Sequence, residues 1–96
     1  MTHARLEVVF QGHVQGVGFR MTAARCAERF GVVGWVRNEP DGSVRLVAEG
    51  TVEKAEGLLE CIEEMLPGHV RSKTVDHGPG SGEFSGFRIL RSPSHR

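Results

Sequence analysis

The stretch with the clearest chemical potential runs from Gly12 to Arg20 and reads Gly-His-Val-Gln-Gly-Val-Gly-Phe-Arg. Its three glycines permit positive φ and leave bare N–H groups that can point into one concavity, an arrangement that binds anions. A predicted helix follows, and its N-terminus adds unpaired N–H groups and the positive end of a dipole. Arg20 adds a planar fork of donors that matches phosphate. The pattern predicts a cradle for a small dianion, and an ordinary glycine turn with a solvated arginine is the alternative.

The spacing of this stretch sets it apart from two better known phosphate-binding loops. It lacks the Gly-x-x-x-x-Gly-Lys-Ser/Thr pattern of a P-loop. It also does not fit Gly-x-Gly-x-x-Gly, so a dinucleotide site is not favoured. The anion would therefore be bound by a loop of a different kind.

A second stretch, from Gly34 to Val44, places Asn38 at the end of a predicted strand. A side-chain amide offers an acceptor and two donors, so it can hold a water and a phosphoryl oxygen together. An asparagine that only shapes the following turn through an Asx bond is the alternative. The residues alone leave both interpretations open, and favour the turn.

Length and composition narrow the class of protein. Ninety-six residues with twelve basic and twelve acidic side chains predict one domain, residues 1–96, with no net charge to attract nucleic acid or an anionic membrane. No apolar run approaches a membrane span, and the first residues enter a strand without an apolar leader. The histidines are scattered without ligand spacing, so no metal is expected. We therefore expect a cytoplasmic monomer.

The two cysteines, Cys26 and Cys61, fall one on each predicted helix. They form no Cys-x-x-Cys pair, which argues against a zinc or redox motif. In a reducing compartment they are expected to be two free, partly buried thiols. The sequence does not say whether they have any redox role.

The hydrophobic pattern predicts five strands and two helices that must position these residues. The strands cover about residues 5–14, 32–38, 43–49, 70–76 and 84–90, and the helices about 21–30 and 52–66. Gly31 is expected to end the first helix, Thr51 to cap the second, and Gly57 to allow close packing of the second. The order predicts an α+β fold, a ferredoxin-like split βαβ sandwich with two helices on one face of a mostly antiparallel five-stranded sheet.

Taken together, the two stretches resemble the signatures of the acylphosphatase family. The first matches glycine-x-valine-glutamine-glycine-valine-x-phenylalanine-arginine from Gly12 to Arg20. The second matches glycine-x-valine-x-asparagine-x-x-aspartate-glycine-x-valine from Gly34 to Val44. The resemblance also covers the length of the chain and the order of its elements.

The resemblance implies a metal-independent hydrolase without a cofactor that cleaves the carboxyl–phosphate bond of a small-molecule acyl phosphate. It implies that Arg20 and Asn38 are catalytic, Arg20 binding the phosphoryl group and Asn38 positioning the attacking water. The implied phosphate-binding residues are Gln15, Gly16, Val17, Gly18, Phe19 and Arg20. Position 13 departs from the arginine or lysine that is common in the family. His13 lacks the permanent charge of those residues and would weaken the positive field at the pocket.

Two other classes of function are consistent with such a fold. One is a ferredoxin-like binding or regulatory module without turnover, or an acylphosphatase-like domain that acts on carbamoyl phosphate. The other is RNA binding on the sheet, which needs stacked aromatic residues on central strands. The chain has no tyrosine, and its third predicted strand has no aromatic residue, so RNA binding fits poorly.

Overall fold

The computed structural model describes residues 3–92, so residues 1–2 and 93–96 of the predicted domain lie outside it. Seven elements form within this range. In chain order they are β1 Ala4–Gly12, α1 Phe19–Phe30, β2 Val33–Asn38, β3 Val44–Gly50, α2 Val52–Met65, β4 Val70–Pro79 and β5 Phe87–Ile89. Each of the predicted strands and helices is present, with changes at its ends.

The strands form one sheet in the order β4-β1-β3-β2-β5. Neighbouring strands are antiparallel except β2 and β5, which are parallel. The chain passes from β1 through α1 to β2, and β3 lies between those two strands, which makes the βαβ unit split. The predicted α+β, ferredoxin-like class is confirmed, with a sheet that is mixed at one edge.

Alternation along β1 decides which face of the sheet meets the helices. Leu6, Val8 and Phe10 point to one side and are buried in the same cluster as the apolar residues of both helices. The Phe10 and Phe19 rings pack with centroids 4.9 Å apart. Since Phe10 lies near the end of β1 and Phe19 begins α1, this contact fixes both ends of the glycine-rich loop.

Pairing between strands explains most differences from the predicted bounds. β1 ends at Gly12, not at Val14, because its register with β4 shifts between Gln11 and Gly12. β4 extends past the predicted end at Asp76 because the pairing continues to Pro79. β5 pairs with β2 over three residues only, so it is shorter than the predicted 84–90.

The predictions for Gly31, Thr51 and Gly57 are confirmed. Gly31 adopts the left-handed conformation after α1, at φ 69°. The Thr51 side chain accepts a hydrogen bond from the Lys54 N–H at the start of α2, at 3.2 Å. A Cβ on Gly57 would lie 2.6 Å from the Phe30 ring. The glycine is therefore what lets α2 approach α1 this closely.

The cysteine prediction is wrong. Cys26 of α1 and Cys61 of α2 are joined by a disulfide, with Cα atoms 5.9 Å apart. The prediction rested on the usual redox state of a compartment and took no account of where the helices pack. Both cysteines face the contact between α1 and α2, so the bond links the two helices across a closed loop of 35 residues.

A buried carboxylate fastens the segment between β4 and β5 to the sheet. Glu49, only 2% exposed, accepts hydrogen bonds from the N–H groups of Ser81 and Gly82 and from the Ser81 hydroxyl. Arg5 also donates to it, at 3.2 Å. Burial alone would raise the pKa of Glu49, but these hydrogen bonds outweigh it and hold the pKa below its usual range. The segment that leads into β5 thus depends on an ionised Glu49.

Replacing Glu49 with glutamine is expected to lower the free energy of unfolding by about 2 kcal/mol at pH 7, because an amide nitrogen then faces N–H donors. A lowered carboxylate pKa stabilises the fold above the unfolded value, near pH 4, and this stabilisation is lost as the pH falls through the folded pKa. The difference between the variant and the wild type should therefore shrink in acid. Urea denaturation from pH 3 to 8 measures it.

The control is Glu83→Gln, because Glu83 also pairs with Arg5 but is exposed. It should change the free energy of unfolding by less than about 0.5 kcal/mol. A Glu49→Gln effect that stays constant from pH 3 to pH 8 would contradict a role for the charge.

Candidate active site

The loop between β1 and α1 exposes a series of backbone donors. Gly16 and Gly18 both have φ 77°, in the left-handed region. A Cβ on either would meet no atom within 4 Å, so the requirement for glycine is conformational and not one of space. Within residues 3–92, no backbone N–H from Gln15 to Arg20 donates to a protein acceptor. These N–H groups are free to bind an anion, and such binding stays a prediction.

The start of the loop is anchored on the turn directly before β4. The His13 N–H donates to the His69 carbonyl at 2.9 Å, and His69 Nδ1 lies 3.0 Å from the His13 carbonyl. A side chain on Gly12 would collide with the His69 carbonyl and lie within 2.6 Å of the Arg71 nitrogen. The His13 side chain is exposed. It contributes its backbone, and not its imidazole, to the position of the loop.

Arg20 lies in the first turn of α1, since the helix begins at Phe19 and not at the predicted Met21. Gly18 is the N-cap and offers no side chain to the first N–H groups. The first helical hydrogen bond runs from the Thr22 N–H to the Gly18 carbonyl, at 3.0 Å. Among the residues that the structure describes, the half-buried Arg20 guanidinium has no hydrogen bond or ion pair. The helix N-terminus therefore adds both N–H groups and a full charge.

Asn38 ends β2, where it pairs with Val44 of β3. Its side-chain oxygen, Oδ1, is buried and has no hydrogen-bond partner among the described residues. A buried acceptor without a partner costs about 1–3 kcal/mol, so its presence indicates a donor that arrives with a ligand or a water. The Asx-turn alternative does not hold for Asn38. The side chain that accepts the hydrogen bond shaping this turn belongs to Asp41.

One cavity of about 200 Å³ brings the predicted site together. Val14 and Phe19 are fully buried at its base. Its lining consists of Val14, Gly16, Gly18, Phe19, Arg20, Met21, Asn38 and Ile89. Two predicted phosphate-binding residues, Gln15 and Val17, are not in that lining. No carboxylate or imidazole is in it either, which limits the chemistry to binding, orientation and charge stabilisation.

The Gln15 side chain makes a contact about which the resemblance implied nothing. Its Nε2 donates to the carbonyls of Glu39 and Ser43, both at 2.8 Å. These carbonyls belong to the turn between β2 and β3, directly after Asn38. The Gln15 side chain therefore links the phosphate loop to the strand end that carries Asn38. Sequence spacing gave no signal for this link, because it joins positions 24 and 28 residues apart.

The acids of the β2–β3 turn are engaged elsewhere. Glu39 accepts a hydrogen bond from Arg37 Nε at 2.8 Å, and Arg37 also stacks on the Trp35 ring. Asp41 accepts from the hydroxyl and the N–H of Ser43, and these two bonds lower the pKa of Asp41. A carboxylate held in this way is a weak proton acceptor. Neither acid lines the cavity.

A search for a metal site or a membrane segment gives no candidate. Between residues 3 and 92, no three His, Cys, Asp or Glu side chains are grouped so that they could hold a metal ion. No helix in that part of the chain has both the length and the apolar character that crossing a bilayer requires.

Comparison with known proteins decides the family. The sequence model of acylphosphatase matches residues 6–89, which include both signature stretches. The chain belongs to the acylphosphatase family. An acylphosphatase from Salinibacter ruber is 45% identical over 91 residues, which cover 94% of this chain and 96% of that protein. The resemblance read from the sequence is therefore confirmed.

Solved structures agree with this membership. The crystal structure of acylphosphatase from Bacillus subtilis matches with a TM-score of 0.84 at 28% identity, covering 91% of this chain and 98% of that one. The crystal structure of HypF from T. kodakarensis matches with a TM-score of 0.81 at 28% identity. The latter match covers 96% of this chain but only 12% of HypF. The fold of this acylphosphatase is thus also found as a small part of a much larger protein.

We predict that Gln15→Glu lowers kcat at least tenfold, because a carboxylate of the same shape cannot donate to the two carbonyls and repels them. The same substitution should lower the free energy of unfolding by about 1–2 kcal/mol. Steady-state kinetics with benzoyl phosphate and urea denaturation measure the two effects.

Gln11→Glu is the matched control, since Gln11 is an exposed glutamine on β1 with no side-chain bond among the described residues. It should leave kcat within about twofold. Equal kinetics of the Gln15 and Gln11 variants would show that the link to the β2–β3 turn does not matter for turnover.

Proposed function

We propose that this member of the family hydrolyses acyl phosphates to a carboxylate and inorganic phosphate with the phosphoryl group held by the 15–20 loop. The observation that carries the proposal is one cavity that collects the Arg20 guanidinium, the glycines of the loop and the partnerless Asn38 oxygen. A phosphoryl transition state spreads negative charge over three equatorial oxygens. Donors already fixed in place can stabilise that charge without reorganising.

Two groups of donors divide the work of binding in this proposal. The backbone N–H groups from Gln15 to Arg20 bind phosphoryl oxygens, and the Arg20 guanidinium supplies charge-assisted hydrogen bonds. Gln15 and Val17 contribute through their backbone only, because neither side chain lines the cavity. The site holds no second cation in its lining, so Arg20 alone offsets the charge of the substrate there.

Asn38 orients the nucleophile. Its Oδ1 is an acceptor, so a water in the cavity donates one O–H to it and turns a lone pair towards phosphorus. That lone pair forms the new P–O bond while the bond from phosphorus to the acyl oxygen breaks, and the carboxylate leaves with the electron pair. The water passes a proton to a phosphoryl oxygen or to solvent. The low pKa of the leaving carboxylate makes a general acid unnecessary.

This division of roles predicts different kinetics for two alanine variants. Arg20→Ala should raise KM and lower kcat, together reducing kcat/KM by at least about 100-fold, since charge-assisted bonds strengthen as charge develops. Asn38→Ala should lower kcat about 100-fold while the inhibition constant of inorganic phosphate stays within about threefold. Benzoyl phosphate hydrolysis with phosphate as an inhibitor, with and without a chelator, measures both.

Arg88→Ala is the matched control for lost charge, because Arg88 is an exposed arginine on β5 that does not line the cavity. It should behave like the wild type. Near-normal turnover by the Arg20 and Asn38 variants would overturn the assignment. A sharp ionisation that disappears in His13→Ala or Asp41→Asn would restore an enzyme base.

Carbamoyl phosphate is the alternative substrate, because the resemblance also allowed an acylphosphatase-like domain that acts on it. The same assay includes it, because phosphate release from carbamoyl phosphate but not from benzoyl phosphate would favour a domain of that kind. Absence of release from either would favour a binding module without turnover. The role of Arg20 in binding phosphate would be tested in the same way in each case.

Location and assembly are proposed from the sequence, as a monomer in the cytoplasm. The Cys26–Cys61 bond counts against a reducing compartment, where such bonds are uncommon. Alkylation in intact cells before lysis, followed by mass measurement, distinguishes thiols from a disulfide, and a bonded pair would contradict the cytoplasmic location. Sedimentation at several concentrations tests the monomer.

A further inference from the structure

Two exposed apolar side chains border the phosphoryl cavity. Met21 is 54% exposed and Ile89 is 40% exposed, and both are in the lining, whereas Val14 and Phe19 are buried at its base. The two come from different elements, the first turn of α1 and the last strand. Apolar side chains that converge at the open rim of a polar cavity indicate contact with a ligand.

The apolar surface continues beyond the rim. A second cavity, of about 450 Å³, lies between α1 and β5 and shares Met21 with the first. Phe87 lines this second cavity and is two residues from Ile89, so the two side chains lie on the same face of β5. An apolar wall thus extends from the phosphoryl site past Met21 and along β5.

The chemistry of an acyl phosphate places its acyl group at this wall. The phosphoryl end is held by the polar loop, and the only other part of the substrate is the acyl substituent, which must point out of the cavity across its rim. A methyl or amino substituent offers far less apolar surface for these side chains to contact than an aromatic ring does. An aromatic ring can lie against Met21 and Ile89, and a thioether makes favourable contacts with ring edges.

We propose that Met21 and Ile89 bind the acyl group and make this enzyme selective for aromatic acyl phosphates over acetyl or carbamoyl phosphate. The inference rests on the proposed function, because it assumes that the loop holds the phosphoryl end. The position of the rim also explains why the signatures that grip the phosphate carry no information about the acyl group. Of the two residues, Met21 lies just after the first signature and Ile89 lies outside both.

The groove is less suited to a charged acyl chain. Arg25 and Glu28, at the α1 side of the second cavity, carry opposite charges and leave no net charge to attract one. A carboxylate on the acyl group would also have to cross the apolar surface of Met21 first. An aromatic substituent without charge is therefore the occupant that the lining favours.

The test compares kcat/KM for benzoyl phosphate and acetyl phosphate. Met21→Ala and Ile89→Thr should each lower the ratio of benzoyl to acetyl kcat/KM by about tenfold. This is the size of effect expected when a pocket loses one apolar contact. Met21→Leu, which keeps an apolar side chain of similar size, should restore most of the ratio. Met65→Ala is the control, because Met65 is 58% exposed at the far end of α2 and borders no cavity described above.

A binding measurement makes the test independent of turnover. Phenylphosphonate and methylphosphonate carry a phosphoryl-like group that is not hydrolysed, and the wild type should bind the phenyl compound more tightly. That advantage should be lost in Met21→Ala and Ile89→Thr and kept in Met65→Ala. Because Met21 and Ile89 lie on different elements, one variant still tests the proposal if the other fails to fold.

The outcomes separate this inference from the function on which it rests. A wild type that releases phosphate from none of these substrates would overturn the proposed function. A wild type that turns over both substrates, with variants that lower both kcat/KM values equally or leave the ratio unchanged, would overturn the acyl-group inference alone. An equal affinity for the two phosphonates in the wild type would do the same.

Discussion

The structure depends on one short loop that keeps its backbone donors away from protein acceptors. From Gln15 to Arg20 no N–H donates within the described chain, and two glycines hold left-handed conformations that other residues adopt only at a cost of about 1–2 kcal/mol. In water these donors are solvated. A dianion replaces several waters at once and meets donors that are already in position. The proposed hydrolysis needs little beyond these fixed donors. This is consistent with the lining of the cavity, in which no described residue is a carboxylate or an imidazole.

The remainder of the fold holds that loop at its two ends and beside its partner strand. Phe10 and Phe19, one at each end of the loop, pack together in the core, and the bonds of His13 with His69 fix the start of the loop to the turn before β4. The Gln15 side chain then joins it to the β2–β3 turn. Because Asn38 immediately precedes that turn, the distance between the loop and the Asn38 side chain, the two proposed parts of the site, is set by backbone carbonyls and not by a flexible segment.

Local signals in the sequence were sufficient to predict the elements and to nominate candidate site residues. Hydrophobic period, glycine ends and the Thr51 cap act within a few residues, so all seven elements and the ferredoxin-like class could be predicted. The positions of Arg20 and Asn38 came from motif spacing. The structure places both in one cavity, as the resemblance implied for them.

What could not be predicted depends on contacts between distant segments. The Gln15 link, the exposed rim formed by Met21 and Ile89, and the Glu49 anchor each join residues that sequence periodicity cannot relate. The cysteine prediction was wrong for the same reason, because pairing of Cys26 with Cys61 follows from how the two helices pack. The proposed wall for the acyl group belongs to this class too, since Met21 and Ile89 are far apart in the sequence.

The most direct test of the central claim is a titration of the ¹⁵N-labelled protein with inorganic phosphate, followed by amide chemical shifts. The account predicts that the amides of Gly16, Gly18, Phe19 and Arg20 shift together along one binding curve. The amides of Gly57 and Gly68, which do not line the cavity, should stay unmoved. Phosphate that leaves the loop amides unshifted, or shifts them no more than those two glycines, would contradict it.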